Sequence, residues 1–187
     1  MFPLAIFPLP GELVPLHIFE PRYKQLLLDA ETKDISFGIF FNHVANTEKI
    51  GSLVKLESII KRYPQGEADI IVKCSDLFSI KKLYRTFHDK NYPGGEVNFW
   101  NIDLGNPVST ALSNLFKEYL LYFKIRGSAT VPSHYTVANE LNLDFEERLQ
   151  FVKLDDLQKD RFLTAQLKYQ TQLLYEAEKS KNVFHLN

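Results

Sequence analysis

The sequence predicts an α+β chain whose first half is strands and whose second half is helices. Three observations carry this. Up to about residue 105 the apolar residues come in short β-branched and aromatic runs closed off by proline and glycine. From Ser109 onward they recur with the helical period. Between the two lies a change of composition at Leu104-Gly105-Asn106-Pro107. The expected organisation is a β-rich region over 1–105 and a helical region over 106–187, within the ~150 residues per domain that makes 187 residues one domain or two small ones.

Leu4–Phe7 and Leu13–Leu16 read as two brief strands. Glu20-Pro21-Arg22-Tyr23 opens a helix over 21–31, because proline at the first helical position forfeits an N–H that has no partner there. Tyr23, Leu26, Leu27 and Ala30 fall on one helical face. Ser36–Asn42 reads as a buried strand. Residues 50–61 and 67–74 form a hairpin about Tyr63-Pro64-Gln65-Gly66, since proline presets φ at the second position of a turn. Phe78 and Ile80 alternate with polar neighbours, and a last strand covers Val97–Leu104, with Val97 and Phe99 on one face and Trp100 and Ile102 on the other.

In the second half, Leu112, Leu115, Phe116, Tyr119, Leu120 and Phe123 follow i, i+3, i+4, i+7, i+8, i+11. A loop at Gly127–Ser133 and a short helix at Tyr135–Leu141 come next. Asp144 with Glu147 predicts a capped helix start, and Asp155 with Gln158 repeats the signal before a long helix to about Lys179.

Composition excludes several functions. The 22 Lys and Arg balance 23 Asp and Glu, which is not the charge of a strongly basic nucleic-acid binder, and the lone Cys74 allows no internal disulfide. The apolar start lacks a basic n-region and contains three prolines, which argues against a signal peptide. No stretch approaches the ~20 apolar residues that span a bilayer, so no membrane partner is expected and a cytoplasmic location is. None of the eight glycines is followed by lysine, which rules out the G-x-x-x-x-G-K-[ST] phosphate loop, and their spacing rules out G-x-G-x-x-G. His17, His43, His88, His134 and His185 are scattered without metal-ligand spacing, so neither metal nor cofactor is expected. Ser58/Lys61 and Ser79/Lys82 match S-x-x-K but lie in strands, where i and i+3 face opposite sides. Cys74 follows Ile70-Ile71-Val72-Lys73 and reads as a small buried hydrophobe.

The most specific segment is Phe7-Pro8-Leu9-Pro10-Gly11-Glu12-Leu13-Val14-Pro15-Leu16-His17-Ile18-Phe19-Glu20-Pro21-Arg22-Tyr23, by itself a strand, turn, strand and helix entry. It closely resembles the signature that opens the N-terminal, substrate-binding domain of Lon proteases. Phe37-Gly38-Ile39, Ile50-Gly51-Ser52-Leu53 and Gly95-Glu96-Val97 resemble later strands of that family. Leu141-Asn142-Leu143-Asp144 and Glu147-Arg148-Leu149-Gln150 through Arg161 resemble its C-terminal bundle segment. Where the family has G-x-x-R-F, this chain has Ser75-Asp76-Leu77-Phe78, keeping the phenylalanine and losing glycine and arginine.

The resemblance implies a PUA-like β pseudo-barrel followed by an α-helical bundle. In Lon enzymes this module precedes an ATPase and a Ser-Lys protease, for which 187 residues leave no room, so a stand-alone, non-catalytic module is expected. Its expected partner is unfolded polypeptide or another protein, self-association included. The signature residues Pro15, His17, Phe19, Glu20, Arg22 and Tyr23 are the candidate contacts. The alternative is an RNA-binding PUA-like module. Residues 49–90 carry nine basic and five acidic side chains, and Lys55, Lys61, Arg62, Lys73, Lys81, Lys82 and Arg85 would contact phosphates.

Overall fold

The computed structural model describes residues 1–125, 131–141 and 143–184, and the chain divides into two compact units, Met1–Asp103 and Leu104–Asn187. The first unit holds β1 (Phe2–Leu4), β2 (Leu13–Ile18), α1 (Pro21–Lys33), β3 (Phe37–Phe41), β4 (Ile50–Arg62), β5 (Ala68–Tyr84) and β6 (Gly94–Phe99). The second holds α2 (Thr110–Tyr122), α3 (His134–Glu140), α4 (Phe145–Val152) and α5 (Asp156–Phe184).

The six strands make one sheet in the order β1-β3-β4-β5-β2, with β6 also on β5. All pairs are antiparallel except β1 with β3. The β4–β5 hairpin is its spine. Its turn is the expected one: the Gly66 N–H donates to the Tyr63 carbonyl at 3.0 Å, and Gly66 takes φ +80°, which glycine adopts without strain. On the edge away from β4, β5 pairs with β2 along Ala68–Lys73 and with β6 along Phe78–Tyr84.

Several boundaries differ from expectation. The N-terminal strand is Phe2–Leu4 and not Leu4–Phe7, because Phe2–Leu4 align with Ile39–Phe41 while the chain beyond leaves the sheet, where the Pro8 carbonyl accepts from the Ser52 hydroxyl at 2.6 Å. Residues 67–74 and the Phe78–Ile80 segment form one continuous strand. Ser75-Asp76, polar enough to suggest a break, instead mark a bulge: Asp76 pairs with Leu53 and Cys74 with Val54, leaving Ser75 as the extra residue, and the strand runs on through it. The Ser75 hydroxyl donates to the Leu53 carbonyl at 3.2 Å, and the Asp76 carboxylate accepts the N–H groups of Asn101 and Ile102 at 3.0 and 3.1 Å. Those two bonds also end the last strand at Phe99 rather than Leu104, leaving Trp100 and Ile102 beyond it. The first helix runs two residues past 31, to Lys33, and is closed by Asp34 at φ 52°.

Tyr23, Leu26, Leu27 and Ala30 of α1 bury against Ile39, Val54, Ile70 and Val72 of the sheet, with Phe2 and Tyr92 in the same core. Burying an aliphatic or aromatic side chain of this kind contributes roughly 1.5–3 kcal/mol. The face carrying Phe78 is built differently. Phe78 stands opposite Gly51, and Gly38 pairs with Leu53 one strand over. A Cβ at Gly51 would meet the Phe78 ring at 2.5 Å and the Ile39 carbonyl at 2.7 Å, and one at Gly38 would meet that ring at 2.8 Å. The far end of the ring therefore sits against bare backbone, in space only glycine leaves.

In the second unit, α2 and α3 both pack against α5. Leu112, Phe116, Leu163 and Leu167 are buried, Tyr135 meets Phe151 edge-on at 5.4 Å, and the Tyr119 hydroxyl bonds the Gln170 side chain at 3.1 Å. Both predicted helix starts carry reciprocal caps, Asp144 with Glu147 and Asp155 with Gln158. The short helix begins one residue early, at His134, under the Ser133 cap, and the long helix extends to Phe184. Of the loop expected at Gly127–Ser133, residues 127–130 lie outside the described residues, as do Asn142 and His185. No helix among the described residues is long and apolar enough to cross a membrane.

Gly51→Ala should lower unfolding stability by about 1–3 kcal/mol, as overpacking does. Adding Phe78→Leu should make the two losses less than additive, read by a double-mutant cycle of denaturant melts.

Candidate functional site

The first unit carries a groove of about 430 Å³ whose lining is mostly apolar. Phe37 and Gly38 of β3, Leu53 of β4 and Phe78 of β5 line one part, and Gly94, Gly95, Val97 and Phe99 of β6 another. Leu26 and Ile35 border it, and Phe87, Tyr92 and Pro93 come from the β5–β6 connection. Glycine again shapes the surface: a Cβ at Gly94 would stand 2.4 Å from the Phe87 ring, and one at Gly95 2.5 Å from the Lys82 carbonyl. Met1 completes the lining, its amino group donating to the Pro93 carbonyl.

Asp29 holds the β5–β6 connection in place. Its buried carboxylate accepts from the Lys33 ammonium at 2.7 Å, the Tyr92 hydroxyl at 2.7 Å and the Lys90 ammonium at 3.1 Å. The bond from Lys33 and then that from Tyr92 hold the Asp29 carboxyl well below the usual carboxylate range, with Lys90 adding to them and burial opposing. Burial, followed by the Asp29 bond, pushes the Tyr92 hydroxyl up. Tyr92 stacks on Phe87 at 6.4 Å, so the charge cluster under the connection positions the aromatic wall of the groove.

The segment 15–23 forms a second cluster. His17 and Asp69 face each other across β2 and β5, with Nδ1 2.6 Å from the carboxylate, which also accepts from the Tyr63 hydroxyl at 2.7 Å. The Tyr63 bond first, then that to His17, lowers the Asp69 carboxyl, and the same bond to Asp69 raises the Tyr63 hydroxyl. Arg22 pairs with Glu20 at 2.8 Å and lies 4.6 Å over the ring of Tyr23, which is buried. Pro15 is exposed on the edge strand β2, and Phe19 is 57% exposed.

The profile of the ATP-dependent protease La (LON) substrate-binding domain matches residues 1–182. The chain belongs to the Lon substrate-binding domain family. Two solved structures share the fold. A Lon N-terminal domain protein from Xanthomonas campestris is 23% identical with a TM-score of 0.66, covering 90% of this chain and 95% of that one. The N-terminal domain of a Mycobacterium avium complex Lon protease is 14% identical with a TM-score of 0.60, covering 89% and 96%. No curated protein matches.

Within this Lon-family chain the signature does two jobs. Ile18 and Tyr23 enter the core, whereas Pro15, His17, Phe19 and Arg22 face outward. None of Pro15, His17, Phe19, Glu20, Arg22 and Tyr23 lines the groove. The groove residues Phe87, Phe99 and Gly94 escape a reading of motifs because they are separated in sequence. The Tyr92-Pro93-Gly94-Gly95 turn residues were their one visible trace.

Of the basic residues, Lys55 pairs with Asp34 and Arg62 with Glu31, while Lys61 and Lys82 lie over the rings of Tyr63 and Tyr84. Lys73, Lys81 and Arg85 are exposed. A phosphate backbone would compete with these carboxylates. Among the described residues no three His, Cys, Asp or Glu side chains converge as a metal site. Ser58 and Ser79 are strand residues, and the Ser79 hydroxyl accepts from the Trp100 indole at 2.9 Å. Burial pushes the Cys74 thiol up to about 12.

Two outcomes are expected. Asp29→Asn should lower the melting temperature at neutral pH. Because the native carboxyl titrates below its unfolded value, its contribution is present above pH ~4 and fades as the pH falls below that, so the gap between wild type and variant should close in acid melts. Cys74 should resist a thiol-disulfide reagent at pH 8 in the native chain and react fully in denaturant.

Proposed function

We propose that this chain is a non-catalytic module that binds segments of unfolded protein substrates in the groove of its first unit. The observation that carries the reading is an apolar, aromatic-walled groove on a chain of the Lon substrate-binding family. Desolvation of aliphatic and aromatic side chains supplies most of the affinity of such surfaces. Phe99, 50% exposed beside the groove, offers apolar surface that a bound segment would cover. The sequence has no phosphate-cradling loop, which supports a role in recognition without nucleotide chemistry. The first unit is in this proposal a PUA-like pseudo-barrel. The Met1–Pro93 bond supports it, since it brings the β1 end of the sheet to the start of β6. The helices of the second unit are then the bundle.

Titration with a permanently unfolded protein such as reduced, carboxymethylated casein should perturb the emission of the single Trp100, which follows β6 directly. Phe99→Ser should weaken binding roughly tenfold, about 1.4 kcal/mol, without lowering the melting temperature. An undiminished affinity in that variant would remove the groove from the binding site.

A further inference from the structure

The strand edges left open in the first unit differ in how strongly they block pairing. β1 has only three residues, one of them Pro3. β2 carries Pro15 at its centre. The part of β4 beyond Val54, which β3 does not cover, has two register shifts and the charged residues Lys55, Glu57, Lys61 and Arg62. Prolines, charges and bulges are the usual means by which sheets prevent a further strand from adding. The outer edge of β6 has no proline, its one charged residue is Glu96, whose carboxylate accepts from the Tyr84 hydroxyl, and the register shift in this pair, between Ile80 and Lys82, leaves the extra residue on β5. The residues of β6 are Gly94-Gly95-Glu96-Val97-Asn98-Phe99, and among the described residues β5 is its only strand partner.

The hydrogen-bond alternation of β6 identifies which of its groups face outward. The Trp100 N–H donates to the Leu77 carbonyl at 3.0 Å, which makes that pair a hydrogen-bonded one. Alternation along an antiparallel pair then makes Asn98 opposite Ser79 the next bonded pair, and leaves the main-chain groups of Val97 and Phe99 pointing away from β5. The same logic explains why β2 tolerates proline. The Cys74 N–H bonds the Glu12 carbonyl, so Pro15, three residues on, has its nitrogen on the outward side. Val97 and Phe99 thus offer two N–H and two C=O groups beside the apolar groove that their own side chains line.

We propose that the bound segment is an extended polypeptide that adds to β6 as a further strand. It is held by main-chain bonds to Val97 and Phe99, and every second side chain is placed in the groove. This rests on the substrate-binding reading above and specifies what is recognised: backbone and alternating apolar side chains. Main-chain bonds are available from any extended unfolded segment, whereas a folded chain keeps all but its open strand edges paired, so strand addition favours the unfolded state. A glycine pair at the start of β6, and the close seating of the Phe78 ring against Gly38 and Gly51, keep the groove floor low enough for those side chains.

The test uses the full chain and a peptide of about nine residues alternating leucine and serine, roughly 30 Å when extended. Two N-methylated versions carry methyl groups on alternate amides, one set on the odd and one on the even positions. The expected result is that one methylated set loses at least tenfold in affinity and the other does not. Peptide should also slow hydrogen exchange of the Val97 and Phe99 amides, and Val97→Pro, which an edge strand tolerates, should weaken binding at least tenfold. Equal effects of both methylated sets, or no exchange protection, overturn strand addition. If carboxymethylated casein still binds and Phe99→Ser still weakens it, the substrate-binding reading survives that failure, whereas loss of casein binding to the wild-type chain defeats both. A concentration-dependent dimer in sedimentation, abolished by Val97→Pro, would assign the edge to a second copy instead. The methylated peptides keep the test decisive should Val97→Pro fail to fold.

Discussion

The ring of Phe78 lying on the backbone of Gly38 and Gly51 is the contact on which the first unit depends. It joins β3, β4 and β5 on the groove side with no side chain between ring and main chain, and any Cβ beneath it would stand under 3 Å from ring carbons. Three fragments that resemble family strands, Phe37-Gly38-Ile39, Ile50-Gly51-Ser52-Leu53 and the phenylalanine of Ser75-Asp76-Leu77-Phe78, are in space one contact. The two glycines weaken their strands through lost side-chain packing and backbone entropy, and the buried aromatic surface offsets that. The same contact keeps the groove floor at backbone level.

Asp76 stands directly before Leu77, the residue at the arginine place of the G-x-x-R-F pattern, and it fixes the end of the last strand. Asp76 of β5 uses its carboxylate to hold the main chain of Asn101 and Ile102 as it leaves β6, which ends the strand at Phe99 and leaves that side chain beside the groove. On the other side of the groove, Asp29 gathers Lys33, Lys90 and Tyr92 from two distant parts of the chain. A buried carboxylate is costly unless paired and hydrogen-bonded, and the three donors meet that condition while fixing the connection that bears Phe87. Both walls of the groove are therefore positioned by acidic residues that do not themselves line it.

Local structure was readable wherever one residue's chemistry is decided by its near neighbours. The Pro21 helix start, the Tyr63–Gly66 turn, the Asp144 and Asp155 caps and the buried stripe of α1 all lie within a few residues of the signals that announce them. The strand boundaries were less legible, since Ser75-Asp76 have turn-like composition yet form a bulge within one strand, their side chains bonded to the main chain of Leu53, Asn101 and Ile102.

The sequence by itself determined that a strand-rich half precedes a helical half, that no phosphate loop is present, and that residues 7–23 resemble one family's signature. These follow from periodicity and from motif chemistry carried by contiguous residues. Only the tertiary structure decided that the signature splits between core and surface, that Gly38, Gly51 and Phe78 are one packing unit, and which strand edge is left open beside an apolar groove. Each of these is a pairing between residues far apart in the chain, and register depends on the whole ladder rather than on any one segment.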